Sequence, residues 1–350
     1  MSDWQIFTGT GIPHDRLRQM LPEPPNWRRF DGGPVRPVPP SPDPLHQRRL
    51  GRLDALAGMI GPQADPFAVK MINAALYLRR PLLVTGRPGS GKSSLAYAVA
   101  RELQLGPVLR WPITSRSTLQ DALYRYDPIG RLRDENLRQA REQLAHPQDD
   151  EPPHAGIGRY LTLGPLGTAL LPYELPRVLL IDEIDKSDID LPNDLLNVFE
   201  EGEFEIPELS RLPREVAAVT VKTADEGIEA AVHRGRVLCR AFPFVVLTSN
   251  GEREFPPAFL RRCLRLDLRE PSEEQLAAVV EAHLGPALAA ASAPYIRGFV
   301  ERRDRENSRL AIDQLLGALY LVFSAGRGDD QAVREVTEAV LRSLDEFPAE

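Results

Sequence analysis

PLLVTGRPGSGKSS, residues 81–94, packs three signals into one short run. Pro81 to Thr85 reads as a short buried strand. Gly86 to Ser93 fits G-x-x-x-x-G-K-[ST] at every fixed position, and Leu95 to Leu103 has helical character. Strand, glycine loop and helix form the context that a phosphate-binding loop needs. Glycines let backbone N–H groups close around phosphate oxygens where a side chain would block the approach. The helix that follows aims its N-terminal partial positive charge at the same point. Gly86, Arg87, Pro88, Gly89, Ser90, Gly91, Lys92, Ser93 and Ser94 are therefore the candidate nucleotide-holding residues. Lys92 can reach the β- and γ-phosphates of a bound nucleotide, and the Ser93 hydroxyl can ligate Mg²⁺.

A second run answers the first. Arg177-Val-Leu-Leu-Ile-Asp182-Glu183-Ile-Asp185 begins as an aliphatic strand, of the kind buried on both faces in a parallel sheet, and ends in acid. Ligands of open α/β sheets sit at that end of the strands. Asp182 is placed to hold Mg²⁺, directly or through water, and Glu183 to activate a water for attack on the γ-phosphate. A third buried strand, Phe244 to Asn250, is again polar at its end. Pro107 to Trp111 reads as a further strand.

The remainder of the chain sets boundaries. With 350 residues, 42% hydrophobic and 27% charged, it has material for a sizeable core and two or three domains. No apolar run approaches a membrane span, and the first residues, MSDWQIFTGTG, lack a secretory signal. Two cysteines, Cys239 and Cys263, give no disulfide framework or metal cluster, so a reducing cytoplasm is the expected home. The formal charge of −7 argues against wholesale nucleic-acid binding.

Prolines crowd the region from Pro13 to Pro44, including VRPVPPSPDP at 35–44, and forbid long helices there. That region is either a disordered leader or an arm lying along its own or a neighbouring subunit. Trp4, Phe7, Trp27 and Phe30 favour the arm. Leu53, Leu56, Ala57 and Ile60 suggest one helix, and Pro66 opens another towards Leu78. Arg131–Leu144 reads as a charged helix and 147–154 as an exposed loop. Leu191, Leu195, Val198 and Phe199 form one helix face. Val216–Val221 and Arg236–Arg240 are expected to pair as a hairpin, with 224–234 between them. Ser272 to Gln275 is a capping box, and from there to about Phe347 the pattern is helical.

The reading is an α/β protein: a P-loop αβα sandwich on a parallel sheet, followed by a small all-α lid. Residues 1–50 form the proline-rich arm, 51–270 the nucleotide-binding domain and 271–350 the lid.

In succession these motifs resemble those of an AAA+ ATPase, a P-loop module of the dynein-related type, and most closely its MoxR-like branch. The resemblance covers roughly residues 50–345. It is carried by GRPGSGKS (86–93), VLLIDEIDKS (178–187), DLLNVFEEGEFEI (194–206), VVLTSN (245–250), FPPAFLRRC (255–263) and NSRLAIDQLL (307–316). Lys92 then resembles the Walker A lysine, and Asp182 and Glu183 the Walker B pair. Asn250 matches sensor 1, which orients the attacking water or the γ-phosphate. Arg262, with Arg261 as the alternative, matches the arginine finger supplied to a neighbouring subunit. Arg309 resembles sensor 2. Each also has an ordinary reading: Asn250 as a strand cap, Arg261 and Arg262 as surface charges, Arg309 as a partner of Glu306.

The resemblance implies ATP hydrolysis with Mg²⁺ in a homo-oligomeric ring, a hexamer by expectation, that remodels a protein partner. MoxR-like proteins commonly work with a partner carrying a von Willebrand A domain, and related ones occur in bacterial conflict systems. Two other readings stay open: a nucleic-acid-acting motor or defence-complex ATPase, and a P-loop kinase or nucleotide-gated switch. The arm, the region 203–240 and the glutamate-switch position near Thr114 depart from the usual pattern.

Overall fold

The computed structural model describes residues 4–40, 65–142, 156–306 and 311–325. The expected helix around Leu53–Ile60, the loop 147–154, Arg309 and the stretch from 326 onward lie outside the described residues.

Eleven strands occur among the described residues: β1 (Leu82–Thr85), β2 (Leu109–Pro112), β3 (Tyr124–Tyr126), β4 (Leu161–Leu163), β5 (Val178–Asp182), β6 (Glu203–Glu205), β7 (Ala218–Lys222), β8 (Glu229–His233), β9 (Arg236–Leu238), β10 (Phe244–Ser249) and β11 (Leu264–Asp267). Five of them form a parallel sheet in the order β11-β1-β10-β5-β2. Alternate residues of its central strands enter two cores, as the strand period of two requires. Leu83, Leu179, Ile181, Val245 and Leu247 point into one. Leu82, Val84, Val178, Leu180 and Val246 point into the other, against the helices Pro66–Leu78 and Lys92–Glu102. Burial on both faces explains why these strands read as unbroken aliphatic runs. The architecture is a P-loop αβα core, and helices Glu273–Leu284, Pro286–Glu306 and Ile312–Ala325 follow it. The expected capping box at Ser272 is present, Ser272 and Gln275 bonding reciprocally.

The second sheet, β3-β4-β7-β8-β9-β6, corrects one expectation. The sequence reading pairs 216–221 with 236–240 and leaves 224–234 as a connection. In the structure β7 pairs with β8, β8 turns into β9, and β9 pairs with β6. The reason lies at Arg234 and Gly235, with φ of +51° and +74°. Two consecutive positive φ values make the tight primed turn that hairpins favour. A full strand therefore fits where a loop was expected.

Residues 4–40 pack along the core. Asn73, fully buried, accepts from the N–H groups of Ile6 and Phe7 at 2.8 and 3.0 Å and donates to the Phe7 carbonyl at 2.7 Å. Ile6, Phe7 and Leu17 join the core that the Lys92–Glu102 helix also lines. No described helix is long and apolar enough to cross a membrane.

Candidate nucleotide site

The site gathers at the carboxyl ends of β1, β5 and β10. Gly89 sits at φ +76°, and a Cβ there would lie 2.8 Å from the Ala311 Cα. Glycine is thus needed both for the turn and for the close approach of the last described helix. Lys92 is 8% exposed and folds back into its own loop, donating to the carbonyls of Gly86 and Arg87 at 2.8 Å each. Burial pushes its ammonium down, while Asp185, Glu183 and Asp182 act to raise it. The Ser90 hydroxyl is buried with no protein partner, as a group meant for a phosphate oxygen would be.

Asp182 is the centre of the arrangement. Its Oδ1 accepts from the Ser93 hydroxyl at 2.7 Å and the Thr248 hydroxyl at 2.9 Å. Its Oδ2 accepts from the guanidinium of Arg110, on β2, at 2.7 and 3.2 Å. Burial pushes the carboxyl up, but the hydrogen bonds from Ser93, Arg110 and Thr248 outweigh it and hold Asp182 below its ordinary range. The Ser93 hydroxyl and Asp182 carboxylate form a hard-oxygen pair, the donor chemistry that suits Mg²⁺. Among the described residues no cluster of three or more His, Cys, Asp or Glu could hold a metal. A metal arriving with phosphates needs only one or two carboxylates from the protein.

Glu183 adopts the left-handed conformation, φ +64°, a region costing a non-glycine residue on the order of 1–3 kcal/mol. Its N–H is held by the Thr248 hydroxyl at 2.8 Å, and its carboxylate meets Lys186 at 2.9 Å. The left-handed backbone turns the chain just past the end of β5, and the Glu183 side chain there is 44% exposed.

Asn250 follows β10, and its N–H donates to Asp185 Oδ2 at 2.8 Å. Asp185, 3% exposed, also accepts from the Glu252 N–H at 3.2 Å. One buried carboxylate thus ties the acidic turn after β5 to the end of β10.

Arg261 and Arg262 close the helix Pro257–Arg262 and make their contacts elsewhere. Arg262 Nε donates to Glu200 Oε1 at 2.6 Å, and Arg261 Nε to the Pro257 carbonyl at 3.3 Å. The phosphate loop, Asp182, Glu183 and Asn250 are brought together; the two arginines stand on a different surface element.

Sequence reasoning missed several partners. Thr248 and Asp185 lie inside runs already singled out, and their role follows once β5 and β10 are neighbours. A cavity of about 380 Å³ beside the loop was also missed. Phe7, Asp65, Val69, Ser94, Gln275 and Ile312 are among its lining. That volume falls within the range of small-molecule pockets. Arg87, at the loop's edge, pairs with Glu270 at 2.7 Å, and Glu270 pairs with Arg303 of helix Pro286–Glu306 at 2.9 Å.

A family model described as AAA domain (dynein-related subfamily) matches residues 81–263. No curated protein matches the chain.

Proposed function

The chain belongs to the dynein-related subfamily of AAA domains, and on that premise we propose that it hydrolyses ATP at sites shared between subunits of a ring. The observation that supports the nucleotide-hydrolysing part of this reading is the 2.7 Å bond between Ser93 and Asp182, which joins the phosphate loop to the acidic strand; the shared site and the ring rest on the family resemblance.

Lys92 exchanges its loop carbonyls for the β- and γ-phosphate oxygens and neutralises charge there. Ser93 and Asp182 would hold Mg²⁺, which supplies charge neutralisation at the phosphates. Glu183 takes the proton of the attacking water. Asn250, fixed through Asp185, orients that water or the γ-phosphate. Arg262, held by Glu200, reaches the neighbouring subunit's site, with Arg261 as the alternative. A well-placed arginine is worth about 10³–10⁵ in rate. Arg309 would act as sensor 2, as the family resemblance implies.

The finer reading is a MoxR-like remodelling ATPase, hexameric and cytoplasmic, acting on a protein client such as one with a von Willebrand A domain. The Arg87–Glu270–Arg303 chain gives a physical route from the loop to the lid, as remodelling requires.

The test pairs two variants. Lys92→Ala should lose ATP binding in isothermal titration. Glu183→Gln should bind ATP and release phosphate about 10²–10⁴ times more slowly. Wild-type turnover by Glu183→Gln would remove it as the base, and unchanged affinity in Lys92→Ala would remove the phosphate-loop assignment.

A further inference from the structure

A carboxylate offers about four lone-pair sites, and four hydrogen bonds fill those of Asp182. Ser93 and Thr248 take Oδ1; Nε and Nη2 of Arg110 take Oδ2. For Asp182 to face a metal or its water, one donor has to leave. Ser93 sits next to Lys92 in the phosphate-loop motif and keeps its proton for Asp182 even when its oxygen is a ligand. Thr248 is 1% exposed and also accepts from the Glu183 N–H, so it is fixed. The Arg110 side chain is 39% exposed and has room to swing out. It also carries positive charge and hydrogen-bond donors, the two things a hydrated cation brings to a carboxylate.

We propose that Arg110 competes with Mg²⁺ for Asp182, so that this ion pair sets the magnesium concentration at which metal-dependent nucleotide binding occurs. The proposal rests on Asp182 serving the nucleotide's metal. Binding that must first open a closed pair is weakened by the fraction of molecules in which it is open. The arginine therefore raises the magnesium concentration at which the site holds metal-bound nucleotide, and it acts before any bond to phosphorus breaks.

The experiment is a magnesium titration of the binding of a fluorescent ATP analogue, followed by anisotropy, with affinity in EDTA measured alongside. Arg110→Ala and Arg110→Gln should lower the half-saturating magnesium concentration on the order of three- to tenfold, with affinity in EDTA unchanged. Arg110→Lys, which keeps the charge but loses the paired donors, should fall between them and the wild type. A raised or unchanged magnesium requirement in both neutral variants would overturn the proposal, assigning Arg110 to holding Asp182 in the loaded site. Arg110→Lys behaving as wild type while the neutral variants shift would also overturn it, leaving only a general charge effect. If the wild type binds the analogue with no dependence on magnesium, Asp182 does not serve the nucleotide's metal and the proposal falls while the phosphate-loop assignment stands; if it binds no analogue under any condition, the nucleotide-site reading itself falls.

Discussion

Arg177 and Asp225 face each other at 2.7 and 2.8 Å through two guanidinium nitrogens, their side chains 0% and 4% exposed. Arg177 precedes β5, and Asp225 lies in the turn between β7 and β8. The pair therefore pins the outer hairpin to the base of the strand that carries Asp182. The Arg177 guanidinium also lies 5.0 Å from the Tyr173 ring centroid and donates to the Pro107 carbonyl at 2.9 Å.

Breaking such a pair leaves one charge buried without its partner, which costs about 3–5 kcal/mol. Arg177→Ala should lower stability by that amount in urea unfolding. Replacing both members by apolar residues of similar size, Arg177→Met with Asp225→Leu, should recover most of the loss. A single variant as stable as the wild type would remove the pair from its pinning role.

One carboxylate gathers the start of the amino-terminal arm. Glu102, with no exposure, accepts from the N–H groups of Thr8, Gly9 and Gly11 at 2.6 to 3.2 Å and from the Thr8 hydroxyl at 2.9 Å. It is the last residue of the helix that starts at Lys92. Glu102→Ala should free the arm and speed limited proteolysis within residues 4–20, while the parallel-sheet core stays intact. An unchanged cleavage rate would show that Asn73 and the apolar contacts of Ile6 and Phe7 hold the arm without Glu102.

Both cysteines should be inert in the folded protein. Burial pushes the Cys263 thiol up to about 12 and Cys239 higher still. Since the thiolate is the reactive form, a disulfide-exchange reagent should find no fast thiol in the native chain and two after unfolding. A stoichiometric fast reaction in native buffer would contradict the packing around β9 and β11.

What was legible in the sequence follows from which requirements are local. The strands β1, β5 and β10 announce themselves because a sheet covered on both faces tolerates only apolar side chains, and Val178 to Ile181 are all fully buried. The phosphate loop is legible because its backbone demands glycine. The β8 strand was not, because its residues alternate exposed and buried, as an exposed loop with scattered alanines also would. Arg234 in a left-handed turn gave no glycine-like warning on its side of the bend. Arg110 was invisible for a different reason. Between buried Leu109 and Trp111 it reads as a solvent-facing charge, and only the register of β2 against β5 delivers it to Asp182, 72 positions away.

One mixing experiment reaches the proposed shared site directly. Lys92→Ala and Arg262→Ala, each inactive alone, should regain phosphate release when co-assembled, because some interfaces then join an intact phosphate loop to an intact arginine. A mixture that demonstrably co-assembles yet releases phosphate no faster than its two parents would contradict the shared site.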